Sequence, residues 1–184
     1  HIEDIARRLA LDNFVAFAPD ALFPLGGYPG SEDKAREVFP KLDQTKTRED
    51  FVTAVSWLKA RPETNGRVGA VGFCYGGGIV GMLATRVPSL AAGVAFYGSA
   101  PNLEDVPKIK APLVIQSAEN DERINAGWPA YEAALKAANV SYERQFRTNW
   151  MIGLNYIGNY SSHLWLGKEI NPATYIPGAS TVAN

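Results

Sequence analysis

The segment RVGAVGFCYGGG, residues 67–78, followed by IVGMLATRV, residues 79–87, decides how the chain is read. RVGAVGF is a short apolar run after Gly66, the length and composition of a buried strand. IVGMLATRV is closed by Pro88 and reads as a helix. Between them lies Gly72-Phe73-Cys74-Tyr75-Gly76, a G-x-C-x-G turn running directly from strand to helix. A tight strand-to-helix turn of this kind belongs to an α/β architecture.

Working outward, the same alternation repeats. AAGVAFYG (91–98), APLVIQSA (111–118) and SYERQF (141–146) read as strands. Residues 46–60 read as a helix, with Phe51, Val52, Val55, Trp57 and Leu58 available for packing. Residues 127–139 read as another, with Pro129 in its first turn, where a missing N–H costs nothing. Residues 99–110 and 119–123 are polar connections. Upstream, residues 2–11 place Ile2, Ile5 and Leu9 on one helical face. FVAFAP (14–19) reads as a buried strand, and the Gly- and Pro-rich residues 20–31 as a loop. About five strands result, in a mostly parallel sheet with helices on both faces, hence three layers. The first strand is preceded by a helix and by no earlier strand. Together with a start at His1-Ile2-Glu3-Asp4, this reads as the middle of a longer chain whose first strands are missing.

Composition narrows the function. The 184 residues carry 18 Lys plus Arg and 19 Asp plus Glu, for a net charge of -1, which argues against a nucleic-acid footprint. A single cysteine excludes an internal disulfide framework and any multi-cysteine metal site. No apolar run is long enough to span a membrane. The spacings that mark nicotinamide and ATP sites are absent, so neither a cofactor nor a metal is expected. A lone free thiol suits a reducing compartment, and the expected location is cytoplasmic, although a signal could precede His1. The charge is unevenly spread: residues 145–184 hold only Arg147, Lys168 and Glu169. The expected division is therefore a partial α/β domain over 1–144 and an anomalous tail over 145–184.

The turn at Cys74 carries the chemistry. Its glycines permit a sharp bend that lifts the side chain above the carboxyl end of the sheet. The helix start beneath it offers unpaired N–H groups and a positive dipole end, which favour thiolate and an oxyanion. The chief oxyanion donor is the N–H of Tyr75. The alternative reading is a core cysteine at a tight junction. Asp121 follows the strand 111–118 at a carboxyl end, where it is placed to orient a histidine. A solvated loop carboxylate, like Glu119 and Glu122 beside it, is the other reading. His163 satisfies the chain order nucleophile, acid, histidine. It does not follow the last sheet strand, and a tail histidine with no role is its other reading.

GFCYGGG, APDAL (18–22), FYG (96–98) and AENDERINAGWPAYEAALK (118–136) resemble the dienelactone hydrolase family of α/β-hydrolases over residues 1 to about 144. The resemblance implies a three-layer α/β-hydrolase fold. It also implies a cysteine–histidine–aspartate triad that opens lactones or related carboxylic esters. Cys74 would be the nucleophile and Asp121 the orienting acid, with Tyr97 and Gly98 lining the cleft. The expected partner is a small-molecule lactone or ester, with the protein a monomer or homo-oligomer. The family's His-Gly-Phe after the last major strand does not occur here, nor does its front loop with a glutamate and a second oxyanion donor. The expectation is therefore impaired hydrolysis, or alternatively an inactive fragment with a structural or interaction role.

Overall fold

The computed structural model describes residues 1–147 and 150–154. Its helices are α1 (Ile2–Leu11), α2 (Glu32–Val38), α3 (Gln44–Lys59), α4 (Tyr75–Arg86), α5 (Glu122–Asn125) and α6 (Trp128–Ala137). Its strands are β1 (Gly69–Phe73), β2 (Ala92–Phe96), β3 (Leu113–Gln116), β4 (Tyr142–Arg147) and β5 (Trp150–Leu154). They form one sheet in the order β1-β2-β3-β4-β5, parallel through β4 and antiparallel at β5. None of the described helices is long and apolar enough to cross a membrane.

The strand order explains where the helices lie. Each parallel step moves one position in the same direction, and such crossovers are right-handed. All the connections from β1 to β4 therefore fall on one face. α4, the short turn Leu103–Lys108 and α6 pack there, with α3 beside α4. Paired residues of parallel strands share a face, so Gly93, Leu113 and Tyr142 point to this side. Its core includes Val55, Ile79, Leu83, Leu113 and Tyr131, with Val106 and Leu135 wholly buried. The helix α3 starts where the Asp43 carboxylate accepts the N–H groups of Thr45 and Lys46, both at 3.0 Å.

The opposite face is formed by the alternate residues of the same strands. Val71, Phe73, Val94, Phe96 and Val114 alternate onto it. α1 buries none of its residues, and the His1 ring meets Phe73 edge-on. Val71 stays 41% exposed. A second layer there must come from outside the β1–β4 crossovers, and the described residues supply little of it.

Two expectations change. Residues 14–19 form no strand, and Phe14, Val15 and Phe17 are exposed. An apolar run specifies burial but not a ladder partner. Phe17 instead packs its ring 4.9 Å from Trp57, which therefore lies on the surface and not in the core. The fifth strand is β5, which returns antiparallel to β4.

Three tyrosines make this fold sensitive to alkali. Burial pushes Tyr131 far above the usual phenol range and raises Tyr75. Tyr142 is pushed up to about 12, first by burial and then by its hydrogen bond to Glu132. An unfolded tyrosine ionises near pH ~10, so their contribution is intact below that and lost as pH rises toward the folded values. Arg144, lowered to about 10 chiefly by burial, acts in the opposite sense over the same range, because the folded chain releases its proton first. Three groups oppose one. The expected result is a Tm that falls between about pH 9 and about pH 11, with a shallower fall in Tyr142→Phe. A flat Tm would refute it.

Candidate active site

Cys74 stands immediately after β1 with φ 52 and ψ −111, a conformation that a residue with a Cβ adopts only under constraint. The constraint comes from β2. The Cys74 N–H donates to the Phe96 carbonyl at 2.9 Å, and the Cys74 carbonyl accepts the Gly78 N–H at 3.2 Å. The backbones around the turn touch. A Cβ on Gly72 would lie 2.1 Å from the Gly76 oxygen, and one on Gly98 would lie 2.3 Å from the Gly77 carbonyl carbon. Glycine at 72, 77 and 98 lets α4 start against the ends of β1 and β2.

The thiol bearer is consequently exposed at the start of a twelve-residue helix. The N–H groups of Tyr75, Gly76 and Gly77 have no intrahelical acceptors there. Tyr75 contributes only its backbone to this end. Its hydroxyl donates to Gln44 Oε1 at 2.9 Å, and its ring meets Phe39 edge-on at 4.9 Å.

Tyr97 follows β2 as Cys74 follows β1, and it too has a positive φ, of 39. Its N–H donates to the Gln116 carbonyl at 2.7 Å. Its ring sits 6.4 Å from both Phe73 and Phe96, which stack on each other at 4.7 Å. Asp121 follows β3. Its Oδ1 accepts the Ile124 N–H at 3.1 Å and caps α5. The three adjacent parallel strands thus end in Cys74, in Tyr97-Gly98 and in the turn carrying Asp121. β1 and β3 are two strand spacings apart, ~10 Å. His163 lies outside the described residues.

A cavity of about 30 Å³ sits behind this edge, bounded by Gly77, Val80, Tyr97, Ser117, Trp128 and Arg144. It has room for a water or two, and Cys74 does not line it. Among the described residues no three His, Cys, Asp or Glu side chains cluster to hold a metal.

The sequence reading missed Gln44, Ser117, Asn125 and Arg144. Arg144 had a signal. It shares a face with Tyr142 in an alternating strand, so that face must bury a guanidinium.

Residues 1–146 match the Dienelactone hydrolase family. The chain belongs to that family. It is 37% identical over 134 residues to Protein usf of Aquifex pyrophilus, covering 68% of this chain and 56% of that relative. It is 33% identical over 132 residues to a protein of Aquifex aeolicus provisionally named carboxymethylenebutenolidase, with the same two shares. The chain thus spans little more than half the length of these relatives. Among solved structures it resembles a provisionally named dienelactone hydrolase from Klebsiella pneumoniae, with TM-score 0.68 and 27% identity, over 81% of this chain and 68% of that one. A dienelactone hydrolase-like promiscuous phosphotriesterase from metagenomic libraries shares the fold at TM-score 0.63 and 24% identity. It covers 80% of this chain and 63% of that one. The dienelactone hydrolase fold here is the parallel sheet of β1–β4 with its helices.

Proposed function

We propose that this chain carries the nucleophile half of a lactone and carboxylic-ester hydrolase, with Cys74 as nucleophile and Asp121 as acid. The observation that carries the proposal is the constrained backbone of Cys74, exposed at the start of α4. The Cys74 thiolate attacks the carbonyl carbon of a small ester or lactone. The oxyanion is held by the helix-start amides, that of Tyr75 first. The carbon–oxygen bond then breaks, the alcohol or enol oxygen leaves with the electron pair, and a thioester remains on Cys74. Water must hydrolyse that thioester, and a histidine normally activates it. The sequence holds no His-Gly-Phe. Release is therefore the slow step, and hydrolysis is impaired.

The test is a rapid-mixing time course with p-nitrophenyl acetate. The expected trace is a burst of about one nitrophenolate per chain followed by slow turnover, the signature of an accumulating acyl-enzyme. Fast turnover with no burst would overturn the impaired reading, and no burst with no turnover would overturn the nucleophile reading.

The outer edge of β1 favours a second reading, an inactive fragment with an interaction role. The described residues place no strand beside it, and Phe14, Val15, Phe17 and Val71 are exposed. Size-exclusion mass separates the two: this reading requires a stable oligomer or complex together with no burst.

A further inference from the structure

Arg144 is a buried cation that the chemistry of the Cys74 turn does not use. It reaches from β4 into the helix-covered side of the sheet and is 5% exposed. Its Nε donates to Ser117 Oγ at 2.9 Å and its Nη2 to Asn125 Oδ1 at 3.1 Å. Its guanidinium carbon lies 4.0 Å from the Trp128 ring centre. Asn125 turns its Nδ2 onto the carbonyls of Ala118, at 2.8 Å, and Glu119, at 3.4 Å. Those two residues lead from β3 to Asp121.

We propose that Arg144 is a positioning residue that holds the 117–125 turn through Ser117 and Asn125 and so fixes Asp121 at the carboxyl end of β3. The proposal rests on the reading of Asp121 as the orienting acid. Residues 117–121 belong to no strand or helix, so their geometry has to be imposed by neighbours. A guanidinium imposes it well. Its planar fork fixes the direction of each bond, its face stacks on an aromatic ring, and burial makes each broken bond costly. A lysine ammonium keeps the charge and loses the fork.

The experiment uses the full chain, with Arg144→Lys and with Asn125→Ala, which cuts the link while keeping the arginine and its Ser117 bond. Amide hydrogen exchange is the first readout. Both variants are expected to speed exchange at Asp121, Ile124 and Asn125 by ~10-fold or more while leaving Gly72–Gly78 unchanged. The second readout is release of the acetyl group from Cys74 in added imidazole, a free base for Asp121 to orient. Asp121→Asn keeps the α5 cap but loses the charge, and is expected to slow release ~10-fold. Arg144→Lys should slow it similarly, with the burst amplitude unchanged, and the double variant should be no slower than either single one. Unchanged exchange over 117–125, an equal rise throughout β1 and α4, or additive slowing would each overturn the proposal. If the unaltered chain shows no burst, the Cys74 reading fails and exchange alone decides the role of Arg144.

Discussion

Replacing Cys74 by alanine is expected to abolish the nitrophenolate burst, and replacing it by serine is expected to do the same. A thiol is a few per cent thiolate at neutral pH and reacts without a strong base. A serine hydroxyl needs its proton removed by a base, and none of the described residues hydrogen-bonds the side chain at 74. The loss in acylation rate is expected to reach ~10³-fold or more in both variants, the scale of a removed nucleophile. The serine variant is the sharper one, because an active Cys74→Ser chain would mean that a working base is present and that hydrolysis is not impaired. Cys74→Gly supplies the stability counterpart. It relieves a backbone conformation disfavoured by a Cβ and is expected to stabilise the fold by ~1 kcal/mol in denaturant melts while also losing the burst.

Gly98→Ala is expected to destabilise the fold strongly. Its Cβ would fall 2.3 Å from the Gly77 carbonyl carbon and 2.4 Å from the Gly78 nitrogen. Both are backbone atoms of the first turn of α4, so no side chain can swing aside. Either α4 lifts off β2 or the Cys74 turn opens. The expected cost is about 3 kcal/mol, at the upper end for overpacking, or a drop in Tm of ~10 °C. Gly76→Ala is the matched control. An added Cβ there meets nothing within 4 Å, and alanine favours a helix, so it is expected to be neutral or stabilising by up to ~1 kcal/mol. Equal effects at 98 and 76 would disprove the close-approach argument.

The parts of this molecule that could be read from sequence are those set by local pattern. Apolar runs of strand length, the proline after α4 and Pro129 in α6 place three parallel strands and their helices to within a few residues. Gly72-x-Cys74-x-Gly76 locates the turn, and at Gly72 only glycine tolerates the backbone contact. What resisted reading depends on partners distant in sequence. Residues 14–19 have the composition of a strand, but no described strand lies alongside them. β5 exists through pairing with β4, which no periodicity within Trp150–Leu154 announces. The thin covering that the described residues give one sheet face follows from strand order, which local pattern does not announce. The positions of Cys74, directly after β1, and of Asp121, in the loop after β3, could be read from the sequence, whereas the link from Arg144 to Asn125 joins β4 to α5 and leaves no short-range trace.

The hydrogen bond from Cys74 to Phe96 also bears on the order of assembly. α4 and its glycines are local, but the carbonyl that holds the cysteine belongs to the next strand, across an intervening helix and connection. Closing that loop costs chain entropy before any contact compensates it. During refolding, β1 and α4 can therefore form while the residue between them remains an ordinary, relaxed cysteine. It acquires its strained backbone only when β2 docks. The geometry of Cys74 thus depends on β2 and cannot be carried by the glycine-rich segment alone.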